Sequence, residues 1–157
     1  MRLILTALVS GSLMACAASK PIFISDSGRH AIDGSIYSGQ ATVYVIRDGS
    51  ELGAVWSVSV KLDGEERGSL RTESFVRFPV TPGRHDLLAH WPPLWSGQPD
   101  VAVNAEFDAD KTYYFVFSTS LALSGGLERR TSLGLVDRST GEAMTNRYKS
   151  REVVTGR

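Results

Sequence analysis

From Trp56 to Asp63 the chain alternates without a fault. Trp56, Val58, Val60 and Leu62 fall on one side, and Ser57, Ser59, Lys61 and Asp63 on the other. A period of two places successive side chains on opposite faces of an extended strand, so the stretch buries one face and wets the other. As a helix it would scatter the same residues around the axis. Asp63-Gly64 then reads as a hairpin turn, because glycine takes positive φ at low cost. A short return strand follows around Arg67-Gly68-Ser69-Leu70.

The same period recurs along most of the chain. Ala41 to Ile46 is β-branched and apolar on both faces, as expected of a central strand. Ser74 to Val80 places Val76, Phe78 and Val80 together, and Thr81-Pro82-Gly83 turns the chain. Arg84 to Trp91 and Asp100 to Phe107 are two more strands, the second with Val101, Val103, Ala105 and Phe107 inward. Lys111 to Ser120 carries the most aromatic run, Tyr113-Tyr114-Phe115-Val116-Phe117, and Arg129 to Val136 is a last strand. These features predict an all-β fold, an antiparallel sandwich of seven to eight strands over residues 40–138. Ser139 with Glu142 matches a capping box, which predicts a short C-terminal helix over 140–152 within a tail of 139–157. The apolar face of that helix is thin: Ala143, Met144 and Tyr148.

The N-terminus has a different character. Arg2 is followed by the apolar run Leu3 to Val9, then Ser10-Gly11-Ser12 and Leu13-Met14-Ala15-Cys16. A membrane-spanning helix needs roughly 20 consecutive apolar residues, and this run is shorter and interrupted by polar residues and glycine. A charged start, a short apolar core and small residues at the cut describe a secretory signal. Leu13-Met14-Ala15-Cys16 resembles the bacterial lipobox. That resemblance implies cleavage before Cys16, a diacylglycerol on its thiol and acylation of its new amine. Two or more acyl chains make a lasting anchor where one binds reversibly. The expected organisation is a signal peptide over 1–15 and a flexible tether over 16–39, rich in Ser, Gly and Asp, with Ile22-Phe23-Ile24 as a short docking strand. No Asp follows Cys16 directly, which by analogy with enterobacterial sorting favours the outer membrane, with the domain in the periplasm.

Composition limits the function classes. Removal of residues 1–15 leaves 142 of 157 residues, enough for one domain with a core of its own. The single cysteine is the lipid site, so disulfides and cysteine-based metal sites are not expected within the domain. Seventeen basic and seventeen acidic residues balance, and the basic excess of a nucleic-acid binder is missing. Residues 128–157 are modestly basic and read as a solvated tail, with weak attraction to anionic headgroups or lipopolysaccharide phosphate as the alternative.

Taken together, Ala41-x-Val43-Tyr44-Val45-x-Arg47, Leu62-Asp63-Gly64, Pro82-Gly83-x-His85-x-Leu87 and Tyr113-Tyr114-x-Val116 resemble a family of bacterial lipoproteins built on one domain of unknown function. The match runs from residue 41 to about 137. The resemblance implies a small Ig-like or transthyretin-like sandwich, akin to the PEGA surface-layer modules, and a place in the cell envelope. It carries no catalytic residues.

Catalysis has little support. A hydrolase brings a nucleophile, a base and an orienting group together. His85 and Asp86 are neighbours on a strand and point to opposite faces. His85 shares its face with Leu87, Ala89 and Trp91 and reads as a half-buried histidine bonded near the Pro82-Gly83 turn. His90, five residues on, faces the other way, and no His-x-His pair supports a metal site. Ser124-Gly125-Gly126 lacks the helix that would make it an anion-binding loop and reads as a hairpin tip. No cofactor is expected. The stretch most like a site is Trp91 to Pro99, where prolines stiffen a loop and Trp91, Leu94 and Trp95 offer area for peptide or glycan contact. Two readings stay open there: exposed contact residues, or tryptophans folded back to cap the end of the sandwich. An open sheet edge offers a further mode of binding. The expectation is a membrane-anchored, non-catalytic binding or assembly module with an envelope protein as partner. The alternatives are a structural part of an envelope or secretion complex, and an enzyme acting on envelope lipids or glycans.

Overall fold

Each alternating stretch forms a strand. The computed structural model describes residues 32–33, 36–50, 54–92, 100–123, 127–148 and 152–154. In chain order the elements are β1 (Ile32–Asp33), β2 (Ala41–Arg47), β3 (Val58–Leu62), β4 (Glu65–Leu70), β5 (Ser74–Val80), β6 (Gly83–His90), β7 (Val101–Phe107), β8 (Lys111–Leu123), β9 (Leu127–Val136), α1 (Arg138–Arg147) and β10 (Glu152–Val154). The strands expected between Ala41 and Val136 are all present, joined by the short β1 and β10. Cys16, the lipobox residues Leu13, Met14 and Ala15, the Ile22-Phe23-Ile24 run, Leu94 and Trp95 lie outside the described residues.

The strands form two sheets that pack as a sandwich. The second sheet has the order β4-β3-β6-β7 and is antiparallel throughout. The first runs β1-β8-β2-β5-β10, with β9 also on β8. Two of its pairs are parallel: β2 with β8, and β10 with β5. β2 is central, as its two apolar faces predict, between β5 and β8. Between the sheets lies the main core, where Val43, Val58, Val60, Phe78, Leu87, Phe107, Phe115 and Phe117 are buried.

The outer face of the first sheet is buried as well. Ile46, Phe75, Tyr114 and Tyr148 form a second cluster, with Tyr44, Val116, Val136 and Met144 against it. This explains a helix with so thin an apolar face. α1 brings Gly141 against the Tyr114 ring, and a Cβ at that position would overlap the ring and its Cβ. At Gly141 the backbone itself meets the sheet, and Met144 and Tyr148 add the apolar side chains of this end of the chain. Burial pushes the phenols of Tyr113 and Tyr114 up to about 12.

Three expectations at the chain ends need correction. The stretch 16–39 is not all tether: Ile32–Asp33 pairs with β8, the Ile36 N–H donates to Thr42 Oγ1 at 3.1 Å, and the Gly39 N–H donates to Asp110 Oδ1 at 2.8 Å. The helix starts earlier and ends sooner than 140–152. Its N-cap is Asp137, which accepts from the Thr140 N–H at 3.0 Å and from the Ser139 and Thr140 hydroxyls. Those bonds, the Ser139 hydroxyl first, hold the Asp137 carboxyl well below the usual carboxylate range. Glu142 does not close a capping box; it pairs with Arg138 at 2.8 Å, one turn away. Beyond the helix, part of the expected tail forms β10.

Candidate functional site

Strand directions divide the sandwich into two ends. β2 and β8 rise together, and β6 reaches the same end at His90. There the segments 48–57, 71–73 and 91–100 leave the sheets, and the β8–β9 ladder continues past Arg47, which pairs with Phe117. The opposite end holds the turns at Asp63-Gly64, Thr81-Pro82 and Asp108 to Asp110, with β1 beside Lys111 and Thr112.

Trp91 roots the loop at the first end. It is 2% exposed and meets Phe117 edge-on at 5.5 Å between ring centroids. Trp91 is therefore a core residue and not an exposed contact. The alternative reading, a tryptophan folded back to cap the sandwich, is the one observed for it. The alternation already pointed there, since Leu87, Ala89 and Trp91 share the buried face of β6 and its extension.

Arg47 lies beneath Trp91. It is 1% exposed, with its guanidinium carbon 5.2 Å from the Trp91 ring centroid and 6.0 Å from that of Phe117. One of its terminal nitrogens donates to the carbonyls of Trp56 and Leu70. A cation over aromatic faces gains electrostatic attraction from the ring quadrupole, more so when desolvated. Burial lowers the Arg47 pKa from arginine's usual value, and the neighbouring Asp48 charge opposes that shift. Sequence reasoning placed Arg47 at a strand end and missed this role. The available signal was an arginine continuing a run that is apolar on both faces.

A carboxylate fixes the loop's footings. Asp100 accepts from the Trp91 backbone N–H at 3.2 Å and contacts His90 Nδ1 at 2.8 Å. Nearby, the Asp48 N–H donates to the Phe117 carbonyl at 3.2 Å, and the Ser50 and Thr119 hydroxyls lie 2.7 Å apart. Ser74 Oγ bonds both the N–H and the carbonyl of Arg71, closing the 71–73 turn.

At the opposite end His85 sits as its strand position predicts. Its Nδ1 lies 2.6 Å from Asp63 Oδ2, and its Nε2 lies 2.9 Å from the Thr81 carbonyl, beside the Pro82-Gly83 turn. Asp63 also accepts the Asp86 N–H at 2.9 Å. The His85 bond, and then that backbone bond, hold the Asp63 carboxyl below its ordinary value. Both histidines thus stand beside a carboxylate. In His85 both ring nitrogens are engaged, which leaves none to activate a serine. His90 lies across the ladder from Ser59, whose buried hydroxyl makes no hydrogen bond among the described residues. The pair is therefore not the bonded nucleophile and base that acyl transfer requires. Among the described residues no three His, Cys, Asp or Glu side chains gather to hold a metal ion, and no helix is long and apolar enough to cross a membrane.

Compared with known protein families, the chain matches none of their models, and comparison with curated proteins finds no match.

Proposed function

We propose that this protein is a bacterial envelope lipoprotein, anchored through lipid on Cys16, whose β-sandwich is a non-catalytic module that binds or assembles with another envelope protein. The observation that carries the reading is the lipobox Leu13-Met14-Ala15-Cys16 at the end of a short apolar run. The outer membrane is the anchoring surface and the periplasm holds the domain. On this reading the anchor and the loops belong to opposite ends of the sandwich. The chain enters at β1, beside the start of β8, while the 48–57 and 91–100 loops leave the other end. An extended chain spans at most ~3.3–3.6 Å per residue, so the stretch from Cys16 to Ile32 reaches about 50 Å from the bilayer. On this reading Leu94 and Trp95 are the contact residues, and Trp91 with Arg47 holds the loop that presents them.

The test is affinity capture of the native lipidated protein from lightly crosslinked, detergent-solubilised envelopes. Wild type runs beside a Leu94→Ala/Trp95→Ala variant. Trp91 stays unchanged, since its removal would disturb the core. Partners captured by wild type and lost by the variant support the module and place its contact on the loop. Partners kept by both move the contact elsewhere on the sandwich. No specific partner with either protein removes the binding reading.

A further inference from the structure

The two edges of the second sheet are built in opposite ways. An edge strand exposes unpaired N–H and C=O groups, and proteins blunt such edges with bulges, charges or short strands. β4 has these devices. Its register with β3 shifts between Val60 and Lys61, and it carries Glu65, Glu66 and Arg67 in succession. In the first sheet β10 is only three residues long, and β9 carries Glu128, Arg129 and Arg130 in its sequence. β7 lacks them. It pairs with β6 from Val101 to Phe107 without interruption. Among the described residues no strand pairs with its other side, and no backbone group outside the sheet hydrogen-bonds to it. It contains no proline, glycine, lysine or arginine, and Val101 to Ala105 is uncharged.

We infer that the free edge of β7 is a strand-addition site for an extended segment of a partner protein, uncharged in its middle and carrying Lys or Arg at its ends. Backbone pairing supplies the affinity in such complexes, and flanking side chains supply the selectivity. The charge at this edge decides the occupant. Asp100, which holds His90 and the Trp91 N–H, stands before the strand, and Glu106 and Asp108 stand at its end, with Arg84 3.9 Å from Glu106 and the Tyr113 hydroxyl donating to Asp108; three acids against one arginine leave the edge acidic. A second copy of the chain is the wrong occupant. Two β7 edges laid antiparallel in full overlap would set Asp100 of each copy against Asp108 of the other, and directly opposed like charges destabilise a sheet.

This inference rests on the binding-module reading and adds the β7 edge as a second contact surface beside Leu94 and Trp95. The experiment is hydrogen–deuterium exchange on the full lipidated protein in detergent, read by mass spectrometry. The probes are two synthetic peptides of alternating valine and threonine, one flanked by lysines and one by glutamates. The lysine peptide should slow exchange over residues 101–107, and the glutamate peptide should not. Glu106→Lys should weaken the lysine peptide roughly fivefold, as expected for reversing one rim charge. Four results would each overturn the inference: no slowing by either peptide, equal slowing by both, slowing at β4, β9 or β10 instead, or self-association of the protein through β7. Envelope capture separates the two readings. A partner retained by Glu106→Lys removes the β7 site and leaves the module intact, whereas no partner for wild type removes the module itself.

Discussion

Arg47 and Trp91 show how one end of the sandwich is closed. A cation in the core is tolerated because carbonyl oxygens and two aromatic faces replace its water. Trp91→Ala should therefore cost about 3–5 kcal/mol, measured as a lower urea midpoint. Arg47→Met keeps much of the packing and loses the donors to Trp56 and Leu70. Combined with Trp91→Leu in a double-mutant cycle, it should reveal a coupling of about 1–2 kcal/mol between the two side chains; additive losses would mean that the rings do not stabilise the charge. Asp63 gives a pH prediction. Its folded value lies below the ordinary 3.8, so its contribution is present above that value and fades as pH falls through the lower folded one. Asp63→Asn should lower the melting temperature at neutral pH. The gap to wild type should then close as pH falls below the ordinary carboxylate range and Asp63 becomes protonated in the folded state. A gap that stays constant across the acid range would remove the His85–Asp63 bond as its source.

At the scale of elements, the strands were legible in the sequence because burial on one face imposes a period of two. That rule located β3, β5, β6 and β7 and aligned Trp91 with Leu87 and Ala89, while a run apolar on both faces placed β2 at the centre. Reading Trp91 instead as part of a proline-rich loop gave composition more weight than periodicity, and periodicity was the better guide. Long-range pairing left no such trace. Nothing local in Ala41 to Arg47 specifies a parallel neighbour 70 residues on, and β1 and β10 are too short to show a period. α1 was readable as a helix, and Met144 and Tyr148 of its thin apolar face do pack on the sheet; its close approach was not readable, because that is a glycine against Tyr114, which no hydrophobic pattern reports. Gly141→Ala tests that approach. In an exposed helix the change would add stability; here the overlap with Tyr114 should prevail and cost about 1–3 kcal/mol. A stabilised variant would mean that α1 sits further from the sheet. At the N-cap, Asp137→Ala should lower stability more than Glu142→Ala, the reverse of what a Ser139–Glu142 capping box would give.

The molecule as a whole has an entry end and a loop end, and the proposed anchor makes that polarity matter. Cys16→Ser should move the protein from the membrane fraction to the soluble fraction after cell lysis, with its melting temperature unchanged. Continued sedimentation with membranes after a high-salt wash would remove the lipid as the anchor. The clamp on the loop at the far end carries a different implication. Asp100 holds both His90 and Trp91, so the two footings of the 91–100 segment are tied to each other and to the core. What lies between fixed footings can be exchanged without renegotiating the sandwich beneath. Related chains could diversify residues 93–99 rapidly and keep one framework, and an engineer could graft a foreign recognition loop there, leaving His90, Trp91 and Asp100 in place.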